Sequence, residues 1–189
     1  MSGINVDVND MAKVTGIPSF KIKEALGIPI SATCAASTVE EAERACNNAP
    51  SGSEAKKVAL ERWNKLSLKE AVEASTVEEV RKAYNNAPRG SEAEKAALEK
   101  WNKLSLKEVG EASTVEEAEK AYRNAPIESE AEKAALKRWI LLASTVEEAV
   151  EVYKKAHEDV PGSEIEKLAI IKLATFFPKE NSEKNSINV

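Results

Sequence analysis

The six residues Ala-Ser-Thr-Val-Glu-Glu occupy 36–41 and return at 74–79, 112–117 and 143–148. Counted from Ser37, Ser75, Ser113 and Ser144, the intervals are 38, 38 and 31 residues. A hydroxyl residue with Glu three positions later is a helix start: the hydroxyl accepts from a free backbone N–H, and the carboxylate reaches back and suits the positive end of the helix dipole. Ser75 with Glu78 and Thr76 with Glu79 both offer this pairing. The residues that follow are apolar with helical period, Val77, Val80, Tyr84 and Ala87 in one copy and Val115, Ala118, Tyr122 and Ala125 in the next. Each run then meets Asn-Ala-Pro, and Pro50, Pro88 and Pro126 are stops.

A second start comes at once: Ser91 with Glu94, Ser129 with Glu132, Ser163 with Glu166, and Ser53 with Lys56 in the Glu position. The helix it opens carries Ala97, Leu98, Trp101 and Leu104 on one side. Each period is therefore a helical hairpin. Helices of about 12 to 14 residues are marginal alone in water, so their apolar stripes must be covered by neighbours, which stacking achieves. After Trp63 and Trp101 the first two periods continue with Asn-Lys-Leu-Ser-Leu-Lys-Glu, whereas the third is seven residues shorter. Seven residues are nearly two turns, so a continuous helix would deliver the next start almost in phase. Ser-Leu-Lys-Glu at Ser67 and Ser105 also reads as a capping box, and a short third helix is expected there.

Periods of 38 and 31 residues differ from the 34 of tetratricopeptide repeats and the 40 to 47 of HEAT repeats. Over residues 36–177 the chain resembles the broad class of α-helical repeat proteins, and the resemblance is architectural. The expected fold is all-α, with four stacked helical hairpins at 36–73, 74–111, 112–142 and 143–177. A short two-helix segment within 1–35 precedes them and a disordered polar tail, 178–189, follows.

Composition agrees. Charged residues make up 31% of the 189 and aromatics 5%. The net charge of −5 is spread without a basic block suited to phosphate binding. Cys34 and Cys46 lack the paired spacing of a zinc site, and Cys46 stands in the register of Tyr84, Tyr122 and Tyr153, as a packed thiol would. His157 is the single histidine, expected as a solvated group at a helix end, so neither a two-histidine zinc motif nor a di-iron bundle can be assembled. No glycine-rich phosphate loop occurs. The expectation is a non-enzymatic protein without cofactor or metal. With no apolar run near 18 residues and no leader pattern, it is expected to be cytoplasmic, without a membrane partner.

Trp63, Trp101 and Trp139 each lie ten residues after the second start, and Leu173 takes that place in the last period. Two readings stand side by side. The tryptophans pack between hairpins, which Leu173 favours because it keeps the apolar volume, or they form a partner-binding groove with Tyr84 and Tyr122. Asn86 and Asn124 end their helices, since Asn tolerates left-handed geometry, or they belong to an amide row that grips a peptide. Before the repeats, Asn9 to Ile28, with Ala12, Gly16, Ile17, Ile22 and Ala25, resembles the helix-turn-helix of small bacterial repressors. That resemblance implies that Ser19, Phe20, Lys21 and Lys23 face the major groove. The zero net charge of residues 1–35, three Lys against three Asp or Glu, instead suits a cap on the first hairpin. The leading expectation is a module that binds a protein or peptide, and the alternative is a DNA-binding regulator using residues 9–28.

Overall fold

The computed structural model describes residues 36–177. The helix-turn-helix-like segment with Ser19, Phe20, Lys21 and Lys23, Cys34, and the polar tail lie outside the described residues. Among those described are eight α-helices and no strand: α1 (Val39–Asn48), α2 (Glu54–Glu73), α3 (Val77–Asn86), α4 (Glu92–Glu111), α5 (Val115–Asn124), α6 (Glu130–Leu142), α7 (Val146–Asp159) and α8 (Glu164–Ala174). The chain divides into two compact units, Met1–Ala97 and Leu98–Val189, with the boundary inside α4. In the first, α1 packs on α2 and α2 on α3. In the second, α5 packs on α6 and α7 on α8, and α6 touches both α7 and α8.

Thr38, Thr76, Thr114 and Thr145 are the N-caps of α1, α3, α5 and α7, each closing a reciprocal box with the Glu three residues on. The preceding Ser does not pair with its own Glu. Ser75 instead gives both its N–H and its hydroxyl to Glu79, at 2.7 and 2.9 Å, so one carboxylate gathers Ser75 and Thr76 together. The second helices of three hairpins start on Ser53, Ser129 and Ser163. Glu94 and Glu132 reach one residue further back than a box requires, to the N–H of Gly90 and of Glu128. That residue is left-handed in every copy: Gly52, Gly90 and Gly162 at φ 73° to 77°, and Glu128 at φ 60°.

Four expectations are corrected. The short third helix at Ser67 and Ser105 is absent, because α2 and α4 run unbroken for 20 residues and carry both serines, fully buried, in mid-helix. No Pro or Gly stands beside Ser67 to interrupt the ladder, and its hydroxyl turns toward the Asn86 carbonyl, 3.5 Å away. In the first two hairpins the helix lengths are accordingly 10 and 20 residues rather than 12 to 14, a range that α6 and α7 do meet at 13 and 14. The seven-residue deletion shortens α6 to 13 residues and leaves its C-cap, Ala143, at φ −53° ψ 121°, close to Ala74 at −53°, 131°. Leu98 is 41% exposed, because the inward face of α4 is built on Ala93, Ala97, Ser105 and Val109. Asn86 and Asn124 are not left-handed. Each is the last helical residue, and the following Ala87 and Ala125 are extended at ψ 148° and 152°, the conformation Pro imposes on the residue before it.

Inside the units the packing residues are small. Ala42, Ala59 and Val80 are fully enclosed in the first, and Cys46 is buried as a packed thiol. The second adds larger groups, Leu136, Trp139 and Ile140, between α5, α6, α7 and α8.

Candidate functional site

The middle of α2 carries three consecutive side chains that bind backbone elsewhere. Arg62 of α2 donates from Nε to the Ala36 carbonyl at 2.9 Å, tying down the chain two residues before the first cap, Thr38. Trp63 donates its indole N–H to the Asn86 carbonyl at 2.8 Å. Asn64 accepts, through Oδ1, the N–H of Ala93 at 3.1 Å. A helix leaves its last carbonyls and first amides without internal partners, so Trp63 terminates α3 and Asn64 helps to start α4 from outside.

The second unit repeats the scheme at one joint and drops it at the next. Trp101 donates to the Asn124 carbonyl at 2.8 Å, and Asn102 Oδ1 receives the Ala131 N–H at 3.0 Å. Arg138 donates twice to the Ala112 carbonyl, at 2.9 and 2.7 Å. Trp139, in the same register, has a buried Nε1 with no acceptor, and Ile140 replaces the Asn. The cause lies in α7. Lys155 holds the place of Asn86 and Asn124, but His157 stands where Pro88 and Pro126 end the earlier helices. The helix therefore continues to Asp159, and the Lys155 carbonyl stays inside its ladder. His157 is thus in the last turn of the helix rather than beyond it, exposed, with Nδ1 2.5 Å from Glu166 Oε1.

Around Trp139 the second unit forms a cavity of about 440 Å³ lined by Tyr122, Trp139, Arg123, Glu151, Lys154 and Lys155, with Glu119 and Glu158 at its edge. The two rings lie 6.1 Å apart, tilted by 49°. Lys155 Nζ sits 5.8 Å above the Tyr122 ring and also pairs with Asp159 at 3.2 Å and Glu158 at 3.3 Å. The Tyr122 hydroxyl donates to Asp159. Burial foremost, then the Asp159 carboxylate, hold the Tyr122 phenol above its ordinary range, and Asp159 likewise raises the Lys155 ammonium. Arg123 is engaged with Glu119. Lys154 and Glu151 project from the exposed side of α7.

Of the residues singled out in the sequence, the structure brings together Trp63 with Asn86, Trp101 with Asn124, and Trp139 with Tyr122. Tyr84 is half-buried in α3. Asn85 and Asn86 line a shallow concavity with Glu78, Glu79, Arg81 and Lys82. Sequence reasoning missed Arg62, Asn64, Asn102, Arg138, Lys154 and Asp159. Their signal is present between the copies: Trp-Asn occurs in the two periods followed by an Asn-Ala-Pro helix end, and Trp-Ile precedes Lys-Ala-His.

Among the described residues no group of three or more His, Cys, Asp and Glu is placed to hold a metal ion, and no helix is long and apolar enough to cross a membrane. The chain matches no family model, no curated protein and no solved structure.

Proposed function

We propose that the chain is a non-enzymatic helical-repeat module that binds a protein or peptide through the Tyr122–Trp139 cavity. One observation carries this reading. The cavity lies where the repeat pattern breaks, beside the helix that runs four residues longer than its counterparts, and it joins an aromatic floor to a rim of both charges. Its volume is within the roughly 300–1,000 Å³ of ligand sites, and Trp and Tyr are the residues that dominate binding hot spots. A cytoplasmic setting goes with the proposal on the sequence grounds given above. The DNA-binding alternative of residues 9–28 rests on the sequence alone.

The test is selection of displayed random peptides on the full chain, followed by titration against Lys154→Glu and Glu151→Lys. Both side chains are exposed rim positions outside the core, so the variants should fold. Binding at least tenfold weaker in either variant supports the cavity. Equal binding to all three proteins moves the contact elsewhere, and no selectable binder removes the peptide-binding reading.

A further inference from the structure

Counted from the caps Thr76, Thr114 and Thr145, residues Asn86, Asn124 and Lys155 are equivalent, as are Ala87, Ala125 and Ala156, and Pro88, Pro126 and His157. In the first two copies the helix stops at the Asn, and the freed carbonyl takes a tryptophan N–H at 2.8 Å. In the third the helix takes one more turn, closed by the Val160 N–H on the Ala156 carbonyl at 3.0 Å, and Trp139 is left with a buried donor and nothing to donate to. A buried N–H without an acceptor is disfavoured relative to the paired state, and the carbonyl that would relieve it already lies in the same register. What holds the extra turn is mostly peripheral. His157, Glu158 and Asp159 are exposed, and their contacts are the Tyr122–Asp159 bond, the Lys155 pairs, the His157–Glu166 contact and the stacking of His157 on Tyr153 with centroids 5.9 Å apart, while Val160 packs half-buried against the core.

We propose that the end of α7 is a two-state element. In one state the helix reaches Asp159 and the Trp139 N–H is unpaired. In the other it ends at Lys155, whose carbonyl is released from its helical partner and accepts the Trp139 N–H, as Asn86 and Asn124 accept theirs. Lys155 and Glu158 both line the cavity, so the exchange changes its wall, and any occupant that prefers one wall shifts the balance. The inference stands without the proposed function, since it concerns the helix end alone.

The experiment introduces the missing stop. Proline inside a helix is ordinarily disruptive because it removes a ladder bond and clashes with the preceding turn. His157→Pro is nevertheless expected to melt within a few degrees of the unaltered chain, whereas the control Val150→Pro, in the middle of α7, should abolish the cooperative transition of this unit. In His157→Pro the Trp139 indole proton should exchange as slowly as those of Trp63 and Trp101. In the unaltered chain the Asp159 and Val160 amides should exchange at least 100-fold faster than that of Val152. Any of three results overturns the proposal: His157→Pro as damaging as Val150→Pro, Asp159 and Val160 amides as slow as Val152, or fast amides with an unprotected Trp139 indole in His157→Pro, which is simple fraying.

Discussion

Trp101 and Trp139 stand at the same place in consecutive periods and face different tasks. Trp101 lies half-buried in a 20-residue helix and closes the carbonyl end of α5, while Asn102 beside it receives an amide from the start of α6. Trp139 lies three residues from the end of a 13-residue helix, is 4% exposed, and packs against Tyr122 without a hydrogen bond. One joint is held by directional bonds to backbone, the other by apolar volume: Leu136 and Ile140 flank Trp139 and are enclosed, whereas Leu98, the counterpart of Leu136, is exposed. A repeat can thus keep a residue and change its physical role when its neighbour changes length. The difference between Trp101 and Trp139 follows from three extra residues before Ser163 and one missing proline.

The largest effect expected is from Trp101→Ala, about 3–5 kcal/mol of lost stability in denaturant unfolding, since it removes a packed indole and strips the cap from α5. A loss under about 1 kcal/mol would mean that Trp101 is not structural. Replacement by Phe isolates the bond from the packing. Trp101→Phe should cost about 1–3 kcal/mol more than Trp139→Phe, because only the first leaves a carbonyl without its donor. Equal costs would erase the distinction between the joints. Asn102→Ala should cost about 1 kcal/mol, the usual value of a helix-start bond, with Asn102→Asp retaining most of the stability because its oxygen still accepts from Ala131.

Change of pH gives the finest separation. Hydrogen bonds from Ser37 and its counterparts Ser75, Ser113 and Ser144 lower the carboxyls of Glu41, Glu79, Glu117 and Glu148. A carboxyl lowered by folding supports the fold above its unfolded value, about 4.3, and that support is lost as pH falls through the folded value. All four first helices should therefore weaken together below about pH 4. Tyr122 has the opposite sense. Its raised phenol supports the fold fully below its unfolded value of about 10, and the support is lost as pH rises toward the folded value. Alkaline titration followed by amide exchange should loosen α5 and α7, and Tyr122→Phe should remove that alkaline response.

The hairpins were legible because their starts and stops are local. Thr-Val-Glu-Glu and Asn-Ala-Pro act through bonds within four residues and through the fixed geometry of proline, so the sequence alone places them. The continuity of α2 was misjudged because Ser-Leu-Lys-Glu satisfies the capping pattern equally well, and only the burial of Ser67 against the next hairpin decides between cap and core. The tryptophan register was visible, yet its partner was not. The acceptor on Asn86 is the main-chain carbonyl, which every residue possesses, so residue type at position 86 carries no sign of the bond. Asn64 was unreadable for a related reason: a polar residue in mid-helix looks like solvated surface until the start of α4 is brought beside it.

Each tryptophan bond is written in one period and received in the next at a constant offset of 23 residues. At the level of the gene this makes the array editable. Unequal recombination between copies that removes 38 codons, such as those for residues 74–111, presents Trp63 with the Asn124 carbonyl in place of that of Asn86, and the receiving sequence is again Asn-Ala-Pro. Such a shortened chain is expected to remain fully helical with a cooperative melt, whereas a cut of 34 codons from the same point would misalign donor and acceptor. The period beginning at Ala143 does not share this freedom, since it lacks both the stop and a tryptophan to pass on. Length variation in this protein should therefore arise among the periods that begin at Ala36, Ala74 and Ala112 rather than in the one that begins at Ala143.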